Sequence, residues 1–135
     1  MINFNYETEF KLTNETNLAA WLTSVIASEE HKEGEINYVF CDDDYLHKLN
    51  LEFLEHDTLT DIISFDYSIG KELHGDIYIS VERVRENASE YSTDFEEELQ
   101  RVMVHGILHY CGYKDKTESE QNAMRAKEDL YLIRL

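Results

Sequence analysis

The segment from His105 to Asp115 constrains this chain more than any other, because two histidines and a carboxylate are spaced there as ligands of one metal ion. On a helix, His105 and His109 point to one face, about 40° apart around the axis and roughly 6 Å apart along it. Gly112 falls where a helix ends in a left-handed residue, and Asp115 follows in the loop. The pattern predicts a three-ligand site with an open position for water, as in catalytic rather than structural zinc sites.

Other interpretations of this segment lead to different chemistry. Two histidines four residues apart on an amphipathic helix also occur as partly buried core residues. A metalloprotease with the His-Glu-x-x-His motif is ruled out, because Gly106 stands where its general base would be. Two histidines and a carboxylate also match ferrous oxygenase sites. We therefore expect one Zn²⁺ per chain, with Fe²⁺ as the alternative, and we expect Cys111 to pack under the helix rather than bind metal.

The composition predicts one globular domain over residues 1–135. The chain has 135 residues, of which 42% are hydrophobic and none is proline, so no linker is indicated. No apolar run approaches the roughly 20 residues of a membrane helix, and residues 1–7 do not resemble a signal peptide. We expect a cytoplasmic protein without a membrane partner, and in the cytosol both cysteines should stay reduced.

Apolar periodicity predicts four strands and about five helices. The ranges 1–6, 36–41, 60–65 and 75–79 have the alternation or β-branched content of strands. Strands and helices do not strictly alternate, so we predict an α+β domain: a four-stranded mixed sheet against the helices, with the metal site at the end of a central helix. The predicted apolar stripes of the helices are Leu18, Trp21, Leu22, Val25 and Ile26; Tyr45, Leu46, Leu49 and Phe53; Val81, Val84, Ala88 and Tyr91; Phe95, Leu99, Val102, Met103 and Gly106; and Ala123, Leu130 and Ile133.

Polar residues at the helix starts predict the caps. These are Asn14 or Thr16, the run Asp42 to Asp44, Thr93 with Glu96 or Asp94 with Glu97, and Thr117 with Glu120.

The segment 105–115 resembles the signature of the YbeY family, bacterial metal-dependent endoribonucleases and ribosomal RNA maturation factors. That signature is His-Gly-x-Leu-His, two residues, Gly-Tyr, then Asp-His. Here the last pair is Lys114-Asp115, so the family's usual third histidine falls on Asp115. Asp is a chemically competent replacement ligand for zinc.

Two further segments resemble the family in the same order along the chain. Leu49-Asn50 precedes a loop that is followed by Thr60-Asp61-Ile62-Ile63-Ser64-Phe65, and Gly75-Asp76-Ile77 comes next. One departure lies in the first of these segments: Leu54 stands where the family usually has an arginine that serves RNA cleavage. His56, beside Asp57, is the best candidate among the other histidines for a role near the site.

The resemblance implies a zinc-dependent endoribonuclease that cleaves single-stranded RNA in ribosomal RNA processing and ribosome maturation, with ribosomal RNA or ribosomal subunits as partners. His105, His109 and Asp115 would hold the metal and act through it in catalysis. Lys114 and Lys116 flank Asp115 and are the nearest candidates for binding the substrate.

Two other functions stay open at this point. The formal net charge of −17 repels polyphosphates, which favours a metallohydrolase of some other ester or amide. The leucine at position 54 favours a ribosome-associated binding factor whose metal site is not catalytic.

Overall fold

The computed structural model of the protein describes residues 1–55 and 59–135, which form four strands and five helices. The strands are β1 (Ile2–Tyr6), β2 (Lys32–Cys41), β3 (Ile62–Asp66) and β4 (Glu72–Ser80). The helices are α1 (Glu15–Ser28), α2 (Asp43–Leu54), α3 (Val81–Glu90), α4 (Phe95–Tyr110) and α5 (Glu118–Ile133).

The four strands make one mixed sheet in the order β1-β2-β4-β3. The two neighbours of β2 run parallel to it, and β3 pairs antiparallel with β4 at the edge. The predicted α+β class, with four strands and five helices in the described ranges, is confirmed.

The main core lies between one face of the sheet and the helices α1 and α4. Alternate residues of β2 point into it, and Ile36, Tyr38 and Phe40 are fully buried. A smaller cluster under α2, on the other side of the sheet, contains Cys41 and Ile63. The predicted stripe of α1 is buried in full.

Helix α4, which carries both histidines of the metal motif, is fixed closely against the sheet. The Tyr38 hydroxyl donates a hydrogen bond to the Met103 carbonyl oxygen at 2.7 Å. Gly106 is buried against β4, where an added Cβ would lie 3.0 Å from Cδ1 of Ile77. A side chain at position 106 would crowd Ile77 and Ile62, whose side chains would have to shift, so this glycine lets α4 lie close to the sheet. The predicted central helix is therefore a rigid platform for a site.

The helix caps follow the predictions closely. The Asp42 side chain accepts from the backbone of Tyr45, and Asp94 rather than Thr93 caps α4, accepting from the backbone of Glu97. Thr117 and Glu120 form the complete capping box of α5. Asn14 occupies the N-cap position of α1 without a side-chain hydrogen bond.

The predicted buried face of α5 is wrong. Leu130 is 46% exposed and Ile133 84% exposed, and Ala123 is exposed too. The residues that face the core are Met124, Glu128 and Tyr131. Apolar periodicity does not identify this face, because its central residue, Glu128, is a carboxylate. Its buried partners are described below.

Three aromatic residues assigned to helix stripes lie at the surface instead. Tyr45 of α2 is 37% exposed, and Phe53 of α2 and Tyr91, which follows the last residue of α3, are each 61% exposed. Tyr91 therefore does not contribute to the core. Within the described ranges, no helix combines the length and the apolar character that a membrane crossing needs.

Candidate metal centre

The end of α4 turns the chain back on itself and brings Asp115 over the two histidines. Gly112 follows the C-cap with φ of 102°, as its position predicts. Its backbone N–H donates to the His109 carbonyl at 3.0 Å, and that of Tyr113 donates to the Leu108 carbonyl at 3.1 Å. These two bonds form a Schellman motif, which reverses the chain direction.

His105, His109 and Asp115 converge, as the sequence predicts. The two Nε2 atoms lie 2.9 Å apart, and the Asp115 Oδ2 atom lies 3.3 Å from each of them. Three ligands of a tetrahedral zinc ion, with bonds of about 2.0–2.2 Å, lie roughly 3.3–3.6 Å from one another. The triangle of donor atoms is therefore close to the size that a zinc ion requires.

Hydrogen bonds on the far side of each ring orient both histidines. Nδ1 of His105 lies 2.6 Å from the Glu128 carboxylate, and Nδ1 of His109 lies 2.9 Å from the Tyr113 carbonyl oxygen. Both partners are acceptors, so each Nδ1 carries the proton and each Nε2 has a free lone pair. When both rings are neutral, these two lone pairs and the carboxylate of Asp115 repel one another unless a metal ion or a proton is bound among them. The donor set thus fits a divalent metal ion.

Glu128 extends the site into a buried ion network that the sequence analysis missed. Its carboxylate, 5% exposed, also accepts from Arg101 at 3.0 Å, and Arg101 reaches Asp129 at 2.7 Å. A metal-bound histidine commonly donates its other N–H to a carboxylate in this way. Two features of the sequence could have indicated this network. Arg101 lies one helical turn before His105, and the charged Glu128 lies between the apolar Met124 and Tyr131 on α5.

The negative neighbours of His105 change its proton affinity in the metal-free protein. Burial alone lowers the pKa of His105. The hydrogen bond and charge of Glu128, with the charges of Asp115 and Asp61, outweigh burial and raise the pKa above the ordinary imidazole value. The site is thus strongly cation-attracting.

A second carboxylate, Glu29, anchors the turn that carries Asp115. Glu29 follows the last residue of α1 and accepts a hydrogen bond of 2.8 Å from the Tyr113 hydroxyl. It also binds Lys127 at 3.0 Å and accepts from the Tyr131 hydroxyl. Since the carbonyl of Tyr113 orients His109, Glu29 connects α1 and α5 to the metal-binding turn.

We expect Glu29→Gln to destabilise the protein most near neutral pH. Burial raises the pKa of Glu29, but the hydrogen bonds from Tyr131, Tyr113 and Lys127 outweigh this and lower it. A lowered pKa gives stability that is present above the unfolded-state pKa and lost as the pH falls through the folded-state pKa. The variant should lose about 1–3 kcal/mol at pH 7, and its difference from the wild type should shrink below about pH 4.

Urea unfolding of the metal-free proteins at several pH values measures this difference. Glu30→Gln, a neighbouring exposed change of the same chemistry, is the control and should have almost no effect. Equal midpoints for Glu29→Gln and Glu30→Gln at pH 7 would contradict the anchoring role.

His105, His109 and Asp115 face a cleft of about 700 Å³ that runs between α3, α5 and the start of β3. Lys114 and Lys116 are exposed beside Asp115 but are not among the residues that line the cleft; its basic lining residues are Arg101 and Arg125. Leu54 does not line it either.

Two remaining predictions concern residues outside the ligand set. Burial, followed by the charge of Glu29, raises the pKa of the Cys111 thiol to about 12. Cys111 packs against the core as a neutral thiol, as predicted. The predicted role of His56 concerns a residue that lies outside the described ranges.

Comparison with known proteins places these features in a family. The family model described as Endoribonuclease YbeY matches residues 2–135. Proteins named Endoribonuclease YbeY are similar to this chain: that of Flavobacterium johnsoniae is 66% identical over 96% of this chain and 93% of its own. The protein of Christiangramia forsetii is 58% identical over 95% of this chain and 90% of its own.

A solved structure resembles the fold as well. The solution structure of a Thermotoga maritima protein matches with a TM-score of 0.73 and 30% identity, covering 98% of this chain and 87% of that one. With the family model matched over nearly the whole chain, and the metal motif folded as that family's signature predicts, the chain belongs to the endoribonuclease YbeY family.

Proposed function

We propose that this protein is a metal-dependent endoribonuclease, a hydrolase that cleaves single-stranded RNA in the cytoplasm during ribosomal RNA processing and ribosome maturation. The convergence of His105, His109 and Asp115 in an open cleft is the observation that carries the proposal. Its relatives, which are named as endoribonucleases, support RNA as the substrate.

We propose that Zn²⁺ occupies the site, with Fe²⁺ as the alternative, because two imidazole nitrogens and one carboxylate oxygen suit both ions. Zn²⁺ bound there would supply Lewis acidity toward a phosphoryl oxygen and toward water. The chain's own contribution is to hold the three donor atoms in place. Glu128 fixes the ring of His105, and the Tyr113 carbonyl fixes that of His109.

Incubation of the metal-loaded protein with an unstructured RNA, beside His109→Ala, tests the proposal. We expect internal cleavage by the wild type and a loss of roughly 10³-fold or more in the variant. Elemental analysis should find about one metal per wild-type chain and much less in the variant. A wild-type protein that holds one metal and leaves RNA intact, but hydrolyses a simple ester or peptide, would overturn the assignment.

We also propose that Lys114 and Lys116 contact phosphates of the bound RNA. Both are exposed next to Asp115, so they can reach a strand that enters the metal site. Changing both to Glu should abolish cleavage at physiological salt, because a local cationic patch becomes anionic. The metal content should be unchanged.

Lys11→Glu combined with Lys48→Glu is the matched control for charge. Both residues are exposed and neither is next to Asp115 in the chain; Lys11 is next to Phe10, which contacts Phe95 at the opposite end of α4. Equal cleavage by the two double variants would show that the RNA does not pass over Lys114 and Lys116.

A further inference from the structure

The cleft above the metal ligands has walls of different chemistry. Helices α3 and α5 both pack against α4, which forms the floor between them. Asn87 and Tyr91 line the α3 side, and Gln121, Asn122 and Arg125 line the α5 side.

Arg125 is the cation of this cleft that is available to an anionic ligand. The other arginine there, Arg101, is held by Glu128 and Asp129. Arg125 is exposed and, within the described part of the chain, no carboxylate lies within 4.0 Å of it. Glu98 on α4 lines the same cleft as Arg125; burial raises the pKa of Glu98, and the charges of Arg101 and Arg125 oppose that rise.

Because the rest of the molecule is strongly negative, the binding of an anionic ligand in this cleft depends on Arg125. A chain with a net charge of −17 repels a polyanion at long range. Near the metal, the side chains of Asp61 and Glu98 add negative charge to the cleft. A phosphodiester that enters is therefore most favourably placed beside Arg125, whose planar guanidinium can donate two hydrogen bonds to it.

Tyr91 supplies the complementary apolar surface. It lies at the C-cap of α3, its side chain is 61% exposed, and within the described ranges its ring makes no aromatic contact. An exposed aromatic ring in the same cleft as an arginine that makes no ion pair with a described residue is an arrangement on which unpaired bases can stack. A base in a duplex already stacks on its neighbours and does not present its face in this way.

We propose that Arg125 and Tyr91 form a subsite for one unpaired nucleotide beside the scissile position, where Arg125 binds its phosphate and Tyr91 stacks on its base. The inference rests on the proposed ribonuclease function and deepens it, because it assigns the preference for single strands to a specific side chain. The proposal also places a phosphate-binding arginine on α5, in a chain that has Leu54 on α2 where the family usually has an arginine.

Binding of a 2′-O-methyl RNA oligonucleotide to the metal-loaded protein, measured at several salt concentrations, tests the arginine. Arg125→Gln should reduce the slope of log affinity against log salt by about 0.7, the value of one phosphate contact on a single strand. Arg134→Gln, at the C-cap of the same helix and bonded to Ser28, is the control of equal charge and should keep the wild-type slope. Equal slopes for the two variants would overturn the role of Arg125.

The stacking role is tested with Tyr91→Leu and Tyr91→Phe. The leucine variant should bind the single strand roughly 5- to 150-fold more weakly, while the phenylalanine variant, which keeps the ring, should bind as the wild type does. The ratio of single-strand to duplex affinity should fall in Tyr91→Leu alone. An unchanged ratio in that variant would overturn the role of Tyr91.

The two proposals fail in different ways. A wild-type protein that neither binds nor cleaves RNA would overturn the function itself. A wild type that cleaves RNA, with Arg125→Gln and Tyr91→Leu indistinguishable from their controls in KM and in affinity, would overturn the subsite only.

Discussion

Asp115→Ala is expected to release or loosen the metal and leave the fold intact. The structure places Asp115 Oδ2 at 3.3 Å from both Nε2 atoms, so alanine removes one of three donor atoms. Metal-binding free energies of about 10–16 kcal/mol for four ligands correspond to roughly 3 kcal/mol per ligand, or about 10²-fold in affinity. Ribonuclease activity should fall with the metal occupancy.

Asp115→His is the informative companion to the alanine variant. It restores the residue usual in the family, and imidazole nitrogen and carboxylate oxygen bind zinc at similar distances of about 2.0–2.2 Å. Metal content should therefore stay near one per chain. Loss of a negative charge beside the ion should also make water at the site more acidic, moving the pH profile of cleavage to lower pH.

Metal analysis and thermal melts of the two variants decide the role of Asp115. A helix-capping role is already assigned to Thr117, which forms the capping box of α5 with Glu120. Asp115→Ala should thus change the melting temperature of the metal-free protein little. Full metal occupancy in Asp115→Ala would remove this residue from the ligand set.

Glu128→Ala should damage both stability and metal binding. Removing the carboxylate leaves the guanidinium of Arg101, whose side chain is only 13% exposed, without its buried partner. Breaking a buried ion pair from one side costs about 3–5 kcal/mol. It also frees the ring of His105, and loss of such an orienting contact typically weakens metal binding about 10- to 100-fold.

The other partner of Arg101 provides the control for this experiment. Asp129 is 55% exposed, so Asp129→Ala should cost no more than about 1 kcal/mol and leave the metal affinity unchanged. Urea unfolding of the metal-free proteins and metal titration measure the two effects separately. Equal unfolding midpoints and metal affinities for the two variants would contradict the role assigned to Glu128.

The histidine pair and its turn were predictable because they depend on local geometry. Residues four apart on a helix share a face whatever surrounds it, and a glycine after a helix favours the left-handed conformation that reverses the chain. The arrangement of His105, His109 and Gly112 therefore follows from their spacing along the chain. Asp115 is close enough along the chain to follow the same turn.

The orienting carboxylates were not predictable, because each comes from a distant part of the chain. Glu29 lies after α1, and Glu128 lies on α5. A charged residue is ordinarily solvated, so apolar periodicity assigned the wrong face to α5 and put Glu128 in solvent. Burial of Glu128 becomes favourable only when Arg101 and His105 are both present to pair with it.

The same distinction, between local geometry and contacts of distant segments, separates the candidate metal ligands from the surface around them. The positions of the two histidines, the turn and the aspartate, like the α+β class, could be predicted from the sequence, since periods of 3.6 and 2 residues and short-range turn bonds encode them. The exposure of Tyr91, and the cleft that Arg125 shares with His105, became visible only in the folded protein. Those positions depend on how α3 and α5 pack against α4, and packing between distant segments leaves no local periodic signal.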